Sequence, residues 1–151
     1  MQSSEEDFLE TRKAKIGSAV VIRMEKGEEV CSSILKACEQ HGVKTGFVMG
    51  IGALRRAVVA SGLSVDKKVP KPVEFTGPME IASAVGNIVT KDGKPSLHLH
   101  MALGLDDHTS VAGHLVEGEI SLTGEFVILE SDAKIKRKWT EKLGMNLWNL
   151  D

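Results

Sequence analysis

The sequence has no tyrosine, two cysteines and four prolines, and none of its apolar runs is long enough to cross a bilayer as a helix. Each shortage removes a class of protein. A membrane helix needs 18 or more consecutive apolar residues, so no membrane partner is expected. The opening Met-Gln-Ser-Ser-Glu-Glu-Asp is too acidic for a secretory signal, which makes the cytoplasm the expected location. Cys31 and Cys38 fall on one face of a predicted helix, about 10.5 Å apart along its axis at 1.5 Å per residue. That is too far to bridge, so they read as free thiols on a buried face, as suits a reducing compartment. A net charge of −2 gives the chain no long-range attraction for nucleic acid or anionic lipid. Neither a repeat nor a low-complexity segment is visible. Gly50-x-Gly52 is not followed by the helix and the Gly or Lys-Ser/Thr of a phosphate loop, so close strand packing or a bulge explains it better. No Ser/His/Asp set or paired carboxylates can be argued from spacing.

What is there is histidine in a strand. In Ser96-Leu-His-Leu-His-Met-Ala-Leu, Leu97, Leu99, Met101 and Leu103 alternate with His98 and His100. A strand puts the aliphatic set on one face and the two imidazoles on the other, with Cα atoms roughly 6.6 Å apart. Asp106-Asp107-His108-Thr109-Ser110 reads as a turn, and the strand after it returns His114 beside the pair. Three imidazoles with an open fourth position form the ligand set of a catalytic zinc site. Two solvated histidines on the polar face of an alternating strand are the simpler alternative. Gly104 and Gly113 would let backbone approach closely near the site.

With 151 residues, 42% hydrophobic and 26% charged, the chain reads as one globular domain. Residues 1–15 form a polar arm, and residues 16–24 a β-branched first strand. Glu28 and Glu29 are expected in the first turn of a helix over about 28–41, where the macrodipole favours acids. His41 and Gly42 close that helix. Strands follow at 46–54 and 55–63, then a proline-bearing loop at 65–72 and a bent strand to about 89. Asp92-Gly93 signals a tight hairpin into the histidine strand. Glu117-Gly118-Glu119 reads as a further turn, with two short strands around Thr123-Gly124-Glu125. Residues 132–151 read as an irregular or partly helical tail. Aromatic residues are only 4% of the chain, so Trp139 and Trp148 should anchor that tail on the body or on a neighbouring subunit. The sum is an α+β domain, mostly antiparallel sheet of about seven strands with one main helix.

Ala19 to Gly27, Gly52-Ala53-Leu54, Glu80-Ile81 with Ser83 and Gly86, Asp92-Gly93, His98-x-His100 and Gly113-His114 together resemble the plants-and-prokaryotes conserved (PPC) domain, over residues 16–131. The resemblance implies a homotrimer. Microbial members similar to this chain carry a DNA-binding label, which comes from plant relatives whose domain follows AT-hooks. This chain has no Arg-Gly-Arg-Pro hook, and it keeps three histidines that the plant domains typically lack. The fold is also similar to that of acetolactate decarboxylase, and by that analogy His98, His100 and His114 match zinc-ligand positions.

A divalent metal at these histidines, zinc being the expected ion, would polarise a carbonyl or activate water on a small-molecule substrate. Glu80 is the first candidate for a catalytic carboxylate because it matches the family's Glu-Ile element, and Glu125 is the second. Two other readings stand beside this one. One is a DNA-associated protein touching phosphates through Arg12, Lys13, Lys15, Arg55, Arg56, Lys136, Arg137 and Lys138. The other is an oligomeric scaffold with a structural metal.

Overall fold

The computed structural model describes residues 10–61, 72–141 and 144–150. The start of the expected arm and almost all of the proline-bearing loop lie outside those residues. The chain runs β1 (Ile16–Glu25), α1 (Val30–His41), β2 (Gly46–Ala60), β3 (Val73–Lys91), β4 (Lys94–Leu105), β5 (Ser110–Ser131), β6 (Lys136–Thr140) and β7 (Met145–Asn149). This is the expected α+β composition, one helix against a mainly antiparallel seven-stranded sheet. The sheet order is β1-β5-β2-β3-β6-β7, with β4 hydrogen-bonded to both β3 and β5. Strands β2, β3, β4 and β5 therefore close on themselves in a ring.

That closure depends on long strands. β5 has 22 residues and serves three neighbours. Its stretch 110–114 pairs with β4, 114–130 with β2 and 123–131 with β1. The turns expected at Glu117-Gly118-Glu119 and Thr123-Gly124-Glu125 are corrected here, because β5 passes through both without reversing. Gly124 lies opposite Gly52, and a Cβ on Gly52 would stand 2.8 Å from the Gly124 Cα. The glycines are there so that two strands can approach, and the register shifts on either side of them are bulges. For the same reason the two strands expected over 46–63 are a single strand, β2.

Asp92 and Gly93 both have positive φ, 50° and 78°, as a two-residue hairpin turn requires. Helix α1 starts two residues later than expected. Glu29 is its N-cap, so no acid occupies the first turn. Its carboxylate accepts from the backbone N–H groups of Cys31 at 3.0 Å, Ser32 at 2.7 Å and, across to β5, Gly118 at 3.2 Å. At the other end, Gly42 closes the helix with φ 70° and His41 lies in the last turn, both as expected. Val30, Ile34, Ala37 and Cys38 pack inward onto a core that includes Leu54, Ile88, Leu99, Leu103, Ile120, Phe126 and Ile128. Each such aliphatic side chain removed from water contributes about 1.5–3 kcal/mol.

The irregular or partly helical tail is a correction too. Lys136–Thr140 and Met145–Asn149 pair as the β6–β7 hairpin, with Gly144 at φ 64° leading into β7. The hairpin joins the sheet by one parallel bridge, Thr90 to Lys136.

Candidate metal centre

Alternation on β4 does what its sequence implies. Leu99, Met101 and Leu103 are buried, whereas His98 is half-buried and His100 exposed on the opposite face. His114 reaches them because it sits where β5 changes partner. It pairs with Ala60 of β2 on one side and with His100 of β4 on the other. Gly113 makes the crossing possible, since a Cβ there would stand 2.6 Å from the Ala60 carbonyl oxygen.

One nitrogen from each of His98, His100 and His114 lies within 4.8 Å of the other two. Ring centroids are 5.0 Å apart for His98–His100, 5.1 Å for His98–His114 and 5.8 Å for His100–His114. Three nitrogens bound to one zinc at about 2.0–2.1 Å lie roughly 3.3 Å from each other, so ring movements of no more than about an ångström would bring the three to one ion. The Nδ1 of His114 is buried with no hydrogen-bond partner among the described residues. Leaving such an atom unpaired costs about 1–3 kcal/mol, which a bound cation would offset. The residues fit a divalent ion.

Electrostatics favour the neutral, ligating form of His98 and His114. Burial pushes His98 down to about 4, with help from His114, His100 and the Arg137 guanidinium. Burial is also the main cause lowering His114, followed by His100 and Arg137. Arg137 and Trp148 come from the C-terminal hairpin and line one wall of a cleft of about 490 Å³, with His98 and His114 on the other. Sequence reasoning treated Arg137 only as a phosphate contact. Its place beside the histidines depends on how the hairpin docks, which no local pattern encodes.

Glu80 is exposed on β3 opposite Gly104, four residues along β4 from His100, or about 13 Å. Glu125 pairs with Arg23 and Ile51 in the part of β5 remote from His114. Neither carboxylate is in the three-histidine group. Of the basic residues, Arg55 is paired with Glu119, and Arg56 reaches Glu74 at 2.8 Å and Glu117 at 2.7 Å. Cys38 is buried and free, and Cys31, also free, is half-buried. Burial raises the Cys31 thiol to about 12 and the Cys38 thiol to about 11. Among the described residues no helix is long and apolar enough to cross a membrane.

A closed antiparallel sheet with one capping helix and a histidine triangle at its strand crossing defines a small α+β domain with a metal-competent face. The family profile of the Plants and Prokaryotes Conserved (PCC) domain matches residues 11–132, and the chain belongs to that family. A plant- and prokaryote-conserved protein of Pyrococcus horikoshii superposes with TM-score 0.83 at 33% identity, covering 93% of this chain and 97% of the other. A protein of Archaeoglobus fulgidus described as metal-containing superposes with TM-score 0.84 at 29% identity, covering 93% and 99%. A Bacteroides thetaiotaomicron protein, described provisionally as DNA-binding, gives 0.83 at 27% identity over 91% and 96%. Among curated proteins the sequence finds no match.

Proposed function

We propose that this chain is a homotrimeric, cytoplasmic metal-binding domain in which His98, His100 and His114 hold one divalent ion, zinc by ligand type, and which acts on a small carbonyl-containing or hydrolysable substrate. The observation that carries this reading is the triangle of ring nitrogens within 4.8 Å of one another. The orphaned Nδ1 of His114 supports it, as does the metal-containing Archaeoglobus relative. Bound there, a divalent ion supplies Lewis-acid polarisation of a carbonyl or a water of lowered pKa. The chain's own part is to keep His98 and His114 neutral by burial and to fix the spacing of the three rings through the β4–β5 crossing. In this reading Glu80 is not a ligand. As the candidate catalytic carboxylate it stands on β3 opposite Gly104, outside the ligand set, and Glu80→Gln should leave metal content unchanged.

Elemental analysis of the purified chain should find close to one zinc per chain. His98→Ala should remove most of it with the far-ultraviolet spectrum preserved, and full metal retention in that variant would refute the site. Stripping the metal separates enzyme from scaffold. An assembly that melts or dissociates on chelation indicates a structural ion.

The Bacteroides description favours one second reading, DNA binding. Arg55 and Arg56 are neutralised by glutamates and the net charge is −2, so only non-specific phosphate contacts through exposed lysines and Arg12 would remain. A duplex-binding constant that falls steeply with salt would support it, and no binding at low salt would end it.

A further inference from the structure

The cleft beside the histidines contains a cation that the metal reading does not use. Arg137 is half-buried, and among the described residues it forms no ion pair with a carboxylate. Arg55 and Arg56, by contrast, are paired with glutamates. Burying a charge without a counterion is costly, and desolvation accordingly lowers the Arg137 pKa.

The guanidinium is nevertheless held in place. Its Nη2 donates to the Asn87 side-chain oxygen at 3.1 Å, and its Nη1 to the Asn146 carbonyl at 3.5 Å. Trp148 Nε1 donates to that same Asn87 oxygen at 3.4 Å. Asn87 is the cross-strand partner of His98, and Trp148 the partner of Arg137, so the clamp ties the hairpin to β3 directly beside His98. A guanidinium has five N–H donors in a planar fork. Among the described residues two are engaged, which leaves the others for a ligand.

Among the described residues the cleft lining contains no Asp or Glu. Its charged groups are Arg137 and Lys91, and its volume of about 490 Å³ lies in the range of small-molecule sites. A concave site whose fixed charges are all positive concentrates anions. A planar fork with free donors selects a carboxylate by paired hydrogen bonds. We propose that this cleft binds a small organic acid, its carboxylate seated on Arg137 beside the histidine-held ion. This rests on the metal reading for the neighbouring ion only, since the anion contact is made by Arg137 itself.

Titration calorimetry of the zinc-loaded full chain with pyruvate, oxalate, the neutral pyruvamide and inorganic phosphate tests it. The two acids should bind about tenfold or more tightly than pyruvamide, as a charge-assisted contact implies. Arg137→Gln should lose about that factor with zinc content unchanged, and Arg137→Lys should recover part of it. Equal binding of pyruvate and pyruvamide by the unmodified chain overturns the proposal even if the variants fold poorly. Undiminished acid binding by a folded Arg137→Gln overturns it too, and phosphate binding more tightly than either acid overturns the carboxylate assignment. Zinc content is read separately. A chain that takes up no zinc yet binds the acids through Arg137 refutes the metal reading and leaves this inference standing.

Discussion

His98 lies at the meeting of two demands, since it must be buried enough to stay neutral and open enough to reach an ion. Its pKa of about 4, against an ordinary 6.5, has a consequence for the metal-free protein. In the unfolded chain the ring takes up a proton as the pH falls through 6.5, whereas in the folded chain it resists until about 4. Over that window the unfolded state binds more protons, so stability falls on acidification. The lowered His114 acts in the same direction. Urea midpoints of chelator-treated protein should drop between pH 6.5 and 4, and His98→Asn should flatten part of that slope. A slope unchanged by the substitution would show that burial of this ring is not responsible. The low proton affinity of His98 and His114 also limits competition for those ligand atoms, so metal should be lost as the pH falls toward 4.

At the scale of elements, Glu29 is the most consequential cap. Glutamate is not among the preferred N-cap residues, yet its carboxylate here meets three backbone donors, two in α1 and one in β5. Glu29→Ala should therefore cost about 1–2 kcal/mol in urea unfolding. Glu28→Ala, whose carboxylate meets only the Glu25 N–H, should cost less. How far the elements could be read in advance follows from which forces are local. The histidine strand, the Asp92-Gly93 turn and α1 were legible, because alternation, positive-φ residues and helical spacing act within a few positions. Gly124 misled because a glycine needed for close strand approach looks the same as one needed for a turn, and Gly118 because it lies mid-strand where a Cβ would meet only ordinary contacts. The β6–β7 hairpin was hidden by weak alternation in Lys-Arg-Lys-Trp-Thr. Arg137's neighbours could not be read at all, since a single bridge at Thr90 brings them together. The three histidines were legible as one group because register, a property of two strands, could be inferred from one turn.

At the scale of the molecule, register partners cross the sheet in a row: Val21, Val127, Met49, Val85 and His100. Cross-strand partners share a face, and this is the outer one. Val21 is 78% exposed, Met49 47% and Val85 61%, with Ile51 and Phe47 beside them on β2. Monomeric proteins rarely leave so continuous an apolar strip in water, whereas a three-fold ring would cover it with neighbouring copies. Light scattering of the purified chain should give a mass of three copies, and Val21→Glu, which places a charge in that strip away from the histidines, should give one. The same variant separates assembly from chemistry. All three imidazoles belong to one chain, so the dissociated form should keep its zinc. Loss of zinc on dissociation would instead mean that the fourth donor, or the pressure that holds exposed His100 in line, comes from the next copy, and the metal centre would then be a property of the trimer.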